Sequence, residues 1–140
     1  MSTWMKDELD KIGSAEELRI AALRADGTLR KPVIIWVVHL GDDLYIRSVN
    51  GRTSAWFRGV QTRHEGRIWA GGVEKDVTFV DDDDPEVNKQ LDAAYHAKYH
   101  RRYPSSVDDI NSPLARTATI KLVPHSTGLL SISEDPSERK

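Results

Sequence analysis

A chain of 140 residues, 39% hydrophobic and 30% charged, has the size and composition of one folded domain with its own core. Its formal net charge of −2, from 20 basic and 22 acidic residues, argues against a nucleic-acid partner, and the absence of cysteine excludes disulfides, thiol catalysis and thiolate metal sites. The longest apolar run, Val33 to Val38, is too short to span a bilayer, and charges interrupt the first residues before any signal-peptide core forms, so no membrane partner and a cytoplasmic location are expected.

The sequence reads as one domain over residues 1–133, with 134–140 as a frayed tail lacking hydrophobic anchors. A short helix or turn is expected around Trp4 to Ile12, stopping at Gly13. Ser14-Ala15-Glu16-Glu17 has the form of a capping box and predicts a second helix through Leu18, Ala21 and Ala22, ending at Asp26-Gly27. Pro32 then opens a strand, Val33 to His39, apolar on both faces. Gly41-Asp42-Asp43 makes a turn, and Leu44 to Val49 returns. Alternation sends Leu44, Ile46 and Ser48 to one face and Tyr45, Arg47 and Val49 to the other.

Thr53 or Ser54 is placed to cap a short helix carrying Trp56, Phe57 and Val60. Gly66 to Val73 reads as a strand with a bulge or close contact at Gly71-Gly72, and Lys75 to Val80 as the next strand. Asp84-Pro85 starts a helix whose Val87, Leu91, Ala94, Tyr95, Lys98 and Tyr99 share a face. Tyr103-Pro104 closes it. Ser105 to Pro113 reads as a loop, and Arg116 to Val123 as the last strand.

The stretch from Tyr45 to Arg58 carries the most chemistry. Arg47, Ser48, Asn50, Gly51, Arg52, Thr53 and Ser54 gather guanidinium forks, hydroxyls and backbone N–H groups at a helix start, which is what a phosphate requires. Trp56 and Phe57 beside them offer cover for a flat ring. Strand alternation separates Arg47 from Ser48, so a bend at Val49-Asn50 is needed to bring both to one anion. Trp69 shares its face with Arg67 and suggests a groove, whereas Trp36 on its apolar strand suggests core. His96 and His100, four apart, lack a third ligand and a neighbouring glutamate, so no metal site is assigned. Tyr95 and Tyr99 read as core residues, with proton donation to a reduced substrate as the alternative. No nucleophile elbow, triad or paired carboxylates can be recognised.

The order of a hairpin, Arg-Ser-x-Asn-Gly-Arg-x-Ser-x-Trp from Arg47 to Trp56, a Gly-Arg-Ile strand at Gly66 and a Lys-Asp-Val-Thr-Phe strand at Lys75 resembles the FMN-binding split-barrel superfamily. That group includes the pyridoxamine phosphate oxidases and the deazaflavin-dependent nitroreductases. More narrowly, the chain resembles an uncharacterised bacterial family within it. The resemblance covers Leu29 to Val80 and the final strand. It implies a mainly β, α+β fold: a small six-stranded antiparallel split barrel, homodimeric, with FMN or deazaflavin at the subunit interface. Carried over by residue, it points to Arg47, Ser48, Asn50, Arg52, Thr53 and Ser54 for the cofactor phosphate and to Trp56 for the aromatic that follows this turn. The oxidase branch has a lysine in the following helix, where this chain offers Arg52 or Arg58. The function implied is hydride transfer to a small molecule. The alternatives are a non-catalytic module for a phosphate-bearing or aromatic ligand, and a structural dimer.

Overall fold

Seven antiparallel strands form one curled sheet in the computed structural model, which describes residues 3–125. They are β1 (Leu18–Ala22), β2 (Val33–Ile35), β3 (Val38–Leu40), β4 (Asp43–Arg47), β5 (Glu65–Ala70), β6 (Val73–Asp81) and β7 (Thr119–Pro124). Their order in the sheet is β2-β1-β5-β6-β7-β4-β3. The two edge strands, β2 and β3, are halves of one extended segment interrupted only at Trp36 and Val37. The segment pairs with β1 through its first half and with β4 through its second. The sheet therefore curls into a split barrel with few exposed edges. Counting Val33 to Leu40 as a single bent segment reduces the seven strands to the six expected. The tail at 134–140 lies outside the described residues.

The barrel interior is filled by alternate residues of each strand. On β5, Gly66, Ile68 and Ala70 point inward. Gly66 is there because the chains touch: an added Cβ would lie 2.2 Å from the Ala21 carbonyl oxygen. Gly71 and Gly72, with φ of 57° and 83°, form the two-residue hairpin between β5 and β6. Successive positive φ values make this a turn whose twist matches the strands, so the glycine pair ends β5 and is not a bulge within it. The helix α1 (Lys6–Ser14) covers one end of the barrel. It packs Leu9 and Ile12 into the core, while the Trp4 indole N–H just before it donates to the Leu122 carbonyl at 2.9 Å.

The segment expected as a second helix is β1. The Ser14 hydroxyl donates to the Asp10 carbonyl, closing α1 instead of capping a new helix. β1 lies between β2 and β5, with Leu18, Ile20, Ala21 and Ala22 all buried. Pairing on both sides outweighs a local propensity worth a few tenths of a kcal/mol, roughly, per residue. Asp26-Gly27 does make a turn, but of a hairpin: the Arg24 N–H donates to the Thr28 carbonyl and Gly27 has φ of 89°.

A second core lies outside the barrel. The helix α3 (Pro85–Tyr99) starts as expected, with Asp84 accepting from the Glu86 N–H and Pro85 in the first turn. It packs Leu91, Tyr95 and Tyr99 against Val38 and Tyr45 on the outer face of β3 and β4. Each such burial stabilises the fold by roughly 2 kcal/mol. The region expected as a loop instead forms α4 (Pro104–Ile110) and α5 (Pro113–Arg116). Both prolines sit at helix starts, where a missing N–H costs nothing, and Ser112 caps the second by accepting from the Ala115 N–H. α4 adds Val107 and Ile110 to this outer core. β4 is thus buried on both faces, which alternation alone did not reveal.

Candidate functional site

The outer core fixes the fate of Arg47. Its side chain, fully shielded from solvent, runs beneath α3 and α4. Nε donates to Thr119 Oγ1 at 3.1 Å, one terminal nitrogen to Asp92 at 2.8 Å, and the other to Asn88 Oδ1 at 2.8 Å. Asn111 Oδ1 and the carbonyls of Asn88 and Ile110 complete the shell. The Tyr95 ring lies under the guanidinium, 5.4 Å from its central carbon. Every guanidinium nitrogen is therefore engaged within the protein.

The rest of the Arg47–Ser54 stretch is mostly committed to its own turn. Ser48 is buried, and its Oγ lies 2.7 Å from Ser54 Oγ. Asn50 is exposed, and Thr53 Oγ1 donates to its carbonyl. Gly51 has φ of 76° and abuts Leu114. Arg52 donates to the Thr117 carbonyl at 3.0 Å, lies 3.8 Å from Asp81 and covers the Phe57 ring. Trp69 stands apart, with its indole N–H donating to Glu74, beside a recess lined by Glu17, Arg19 and Ile34. The predicted residues are thus not gathered around one cavity.

Trp56, which shares a groove with Arg47, is the exception. It is the second residue of α2 (Ala55–Arg63) and lines two recesses, which also share Val33. The first is an apolar groove of about 470 Å³ between the β2 segment and α4, walled by Val33, Ile34, Ile35, Trp36, Val49 and Ile110. That volume suits a small organic ligand. Its polar rim is Ser106 and Asp109; Arg47 also reaches its wall. The second recess, about 260 Å³, lies on the β1–β2 side and is cationic, bringing Arg24, Arg30 and Lys31 beside Ala55 and Trp56.

Two observations fit this second recess to an anion. No side chain caps α2, because the Ser54 hydroxyl faces Ser48, so the first-turn N–H groups keep their hydrogen-bonding capacity. Arg30 differs from Arg47: its Nε is enclosed by protein yet has no hydrogen-bond partner, and no acidic group of the described residues pairs with its guanidinium. Arg24 is held by the hairpin, donating to Thr28 Oγ1 and the Leu29 carbonyl. The sequence contained a signal for this cluster, three basic residues flanking Asp26-Gly27, but reading that turn as a helix end and not as a hairpin concealed it.

Other candidate groups lie elsewhere. His96 and His100 stack at 4.1 Å on the exposed side of α3, and among the described residues no group of three or more His, Cys, Asp and Glu lies together as a metal site. Tyr95 and Tyr99 are core residues. Burial pushes both phenols well above their usual range, and the Tyr99 hydroxyl is held at the Glu16 and Val37 carbonyls. The same burial pushes Lys98 down to about 8, where its ammonium donates to the Val37 carbonyl. Among the described residues no helix is long and apolar enough to cross a membrane.

Residues 8–122 match the bacterial family described as "uncharacterized protein conserved in bacteria (DUF2255)". The chain belongs to this family. No curated protein sequence matches it. Among solved structures, the family's fold in this chain is similar to a Listeria innocua protein named as a candidate pyridoxamine 5'-phosphate oxidase (TM-score 0.60, 14% identity, covering 84% of this chain and 90% of that one). It is also similar to HutZ, a heme storage protein of Vibrio cholerae (0.61, 13%, 84% and 87%). A third is an FAD-binding protein of Mesorhizobium loti (0.53, 16%, 89% and 92%). At these identities the likeness establishes the split-barrel fold.

Proposed function

We propose that this protein binds FMN or a deazaflavin and transfers hydride to a small molecule. The cofactor phosphate occupies the recess of Arg24, Arg30 and Lys31 at the start of α2, and the ring system lies in the apolar groove against Trp56. The observation that carries this reading is the unpaired Arg30 guanidinium, partly enclosed, one tryptophan away from an apolar groove. The Nε is enclosed against α2, but the terminal guanidinium nitrogens make no hydrogen bond or ion pair among the described residues, and a bound anion supplies their acceptor. The names of the structural neighbours, one for a phosphate-ester oxidase and one for an FAD-binding protein, support the same class of ligand.

When bound, a flavin-type cofactor supplies the hydride chemistry itself. The chain binds, orients and excludes water. Arg30 and the α2 N–H groups hold the phosphate. Trp56 separates the charged end of the ligand from the ring. Ile34, Ile35 and Val49 give a wall of low polarity. In this reading Arg47 supports that wall from beneath, and Ser48 and Ser54 fix the turn that aims α2. Ile34 is 59% and Val49 44% exposed. In this proposal a second copy of the chain completes the open groove, and the functional unit is a homodimer.

The test is titration with FMN, a deazaflavin and riboflavin, followed by flavin fluorescence and thermal shift. FMN at a hundred times its Kd stabilises a binding protein by about 2.7 kcal/mol, and riboflavin, lacking the phosphate, binds more weakly. A protein whose melting temperature and flavin fluorescence ignore all three ligands does not have this function. A second reading, ligand storage without turnover, draws on HutZ and on the absence of an acid–base pair among the groove-lining residues. Tight binding without reductase activity favours it.

A further inference from the structure

Gly59 stands in the interior of α2 with an ordinary helical backbone; it is not among the residues with positive φ. Conformational freedom therefore does not explain a residue that helices disfavour. Space does. A Cβ at Gly59 would lie 2.9 Å from both Cδ and Nε of Arg30 and 3.5 Å from Cζ. The arginine side chain lies across the bare face of the helix, in the notch that the missing side chain leaves. Its orphaned Nε is enclosed by this contact, and the recess it enters is the one lined by Ala55 and Trp56 at the start of the same helix.

We infer that Gly59 is a positioning residue for ligand binding: it seats the Arg30 guanidinium beside the N-terminus of α2, so that side chain and backbone donors converge on one phosphate group. The inference rests on the anion-binding reading proposed above and adds a specificity determinant to it. With Nε held against the helix, the guanidinium presents its remaining N–H groups as a fork, which suits a phosphate monoester better than an uncharged hydroxyl. An alanine at 59 lifts the guanidinium away and leaves the ring-binding groove untouched.

The experiment measures FMN and riboflavin affinities by fluorescence quenching for the wild type, Gly59→Ala, Arg30→Ala and the double variant, each with its melting temperature. Gly59→Ala is expected to weaken FMN binding about tenfold and riboflavin binding less than twofold, with an equal or higher melting temperature, since alanine favours the helix. In the Arg30→Ala background, where the notch is empty, the added methyl is expected to leave FMN affinity unchanged. Gly59→Ala protein that keeps its preference for FMN overturns the inference. So does an equal loss in both backgrounds, since the glycine would then act independently of Arg30. A wild type with no preference for FMN over riboflavin removes the anion site itself, and that result is distinguishable from failure of the glycine alone.

Discussion

Replacing Arg47 with methionine separates a structural arginine from a ligand-binding one. Methionine fills most of the volume but donates nothing, so the oxygens of Asp92, Asn88, Asn111 and Ile110 each lose a donor. Removing one partner of a buried ion pair costs roughly 3–5 kcal/mol. Here the lower end applies. Asp92 keeps Arg116, which reaches it at 2.5 Å, and its side chain is 23% exposed. Asn88 Oδ1 keeps the Thr119 hydroxyl at 2.7 Å. A loss of about 3 kcal/mol corresponds to a fall of roughly 10 °C in melting temperature for a domain of this size. Urea unfolding with an unchanged m value gives the free energy directly. FMN affinity, measured well below the transition, is expected to change less than threefold. An unchanged melting temperature, or FMN binding abolished in an equally stable protein, would refute this account and return the guanidinium to the ligand.

Three further outcomes follow from local geometry. Tyr95→Phe removes a buried hydroxyl that has no partner, so stability is expected to hold or rise by up to about 1 kcal/mol; a drop in melting temperature would reveal a bridging water. Gly66→Ala places a Cβ 2.2 Å from the Ala21 oxygen and 2.9 Å from Phe79, and a loss of about 3 kcal/mol or of soluble protein is expected. Lys98→Met tests a half-buried ammonium whose pKa falls from 10.5 to about 8. Between those values the unfolded chain holds the proton that the folded protein has released, so the wild type gains stability as pH rises through this window. The methionine variant lacks that gain, and its advantage, about 1 kcal/mol after allowance for partial exposure, is greatest below pH 8; a parallel pH profile for the two proteins contradicts the assignment.

The barrel strands were legible where local and global demands agree. Val33 to Leu40, the Gly41 turn, β4 and β6 all alternate or run apolar, and Asp84-Pro85 announces α3. β1 was not legible because its five residues form a strand only between two partners, and Ser14 to Glu17 imitates a helix start. The site was half-legible for a related reason. Trp56 and the start of α2, singled out in the sequence, line the recess where the anion is proposed to bind. The arginines next to them in sequence are drawn elsewhere, Arg47 by the acid and amides of α3 and its neighbours and Arg52 by the Thr117 carbonyl. The cations beside Trp56 come instead from a hairpin more than twenty residues upstream, which only the pairing of β1 with β2 brings near.

The bent segment from Val33 to Leu40 is the barrel's seam, and it is thinly sewn. Three residue pairs join it to β1 and three to β4, against six between β5 and β6. Short ladders open more often than long ones, so amide hydrogens along this stretch should exchange with deuterium well before those of β5 and β6. Because Val33 to Trp36 also form a wall of the groove, each such breath loosens the rim past which the proposed ligand would enter or leave.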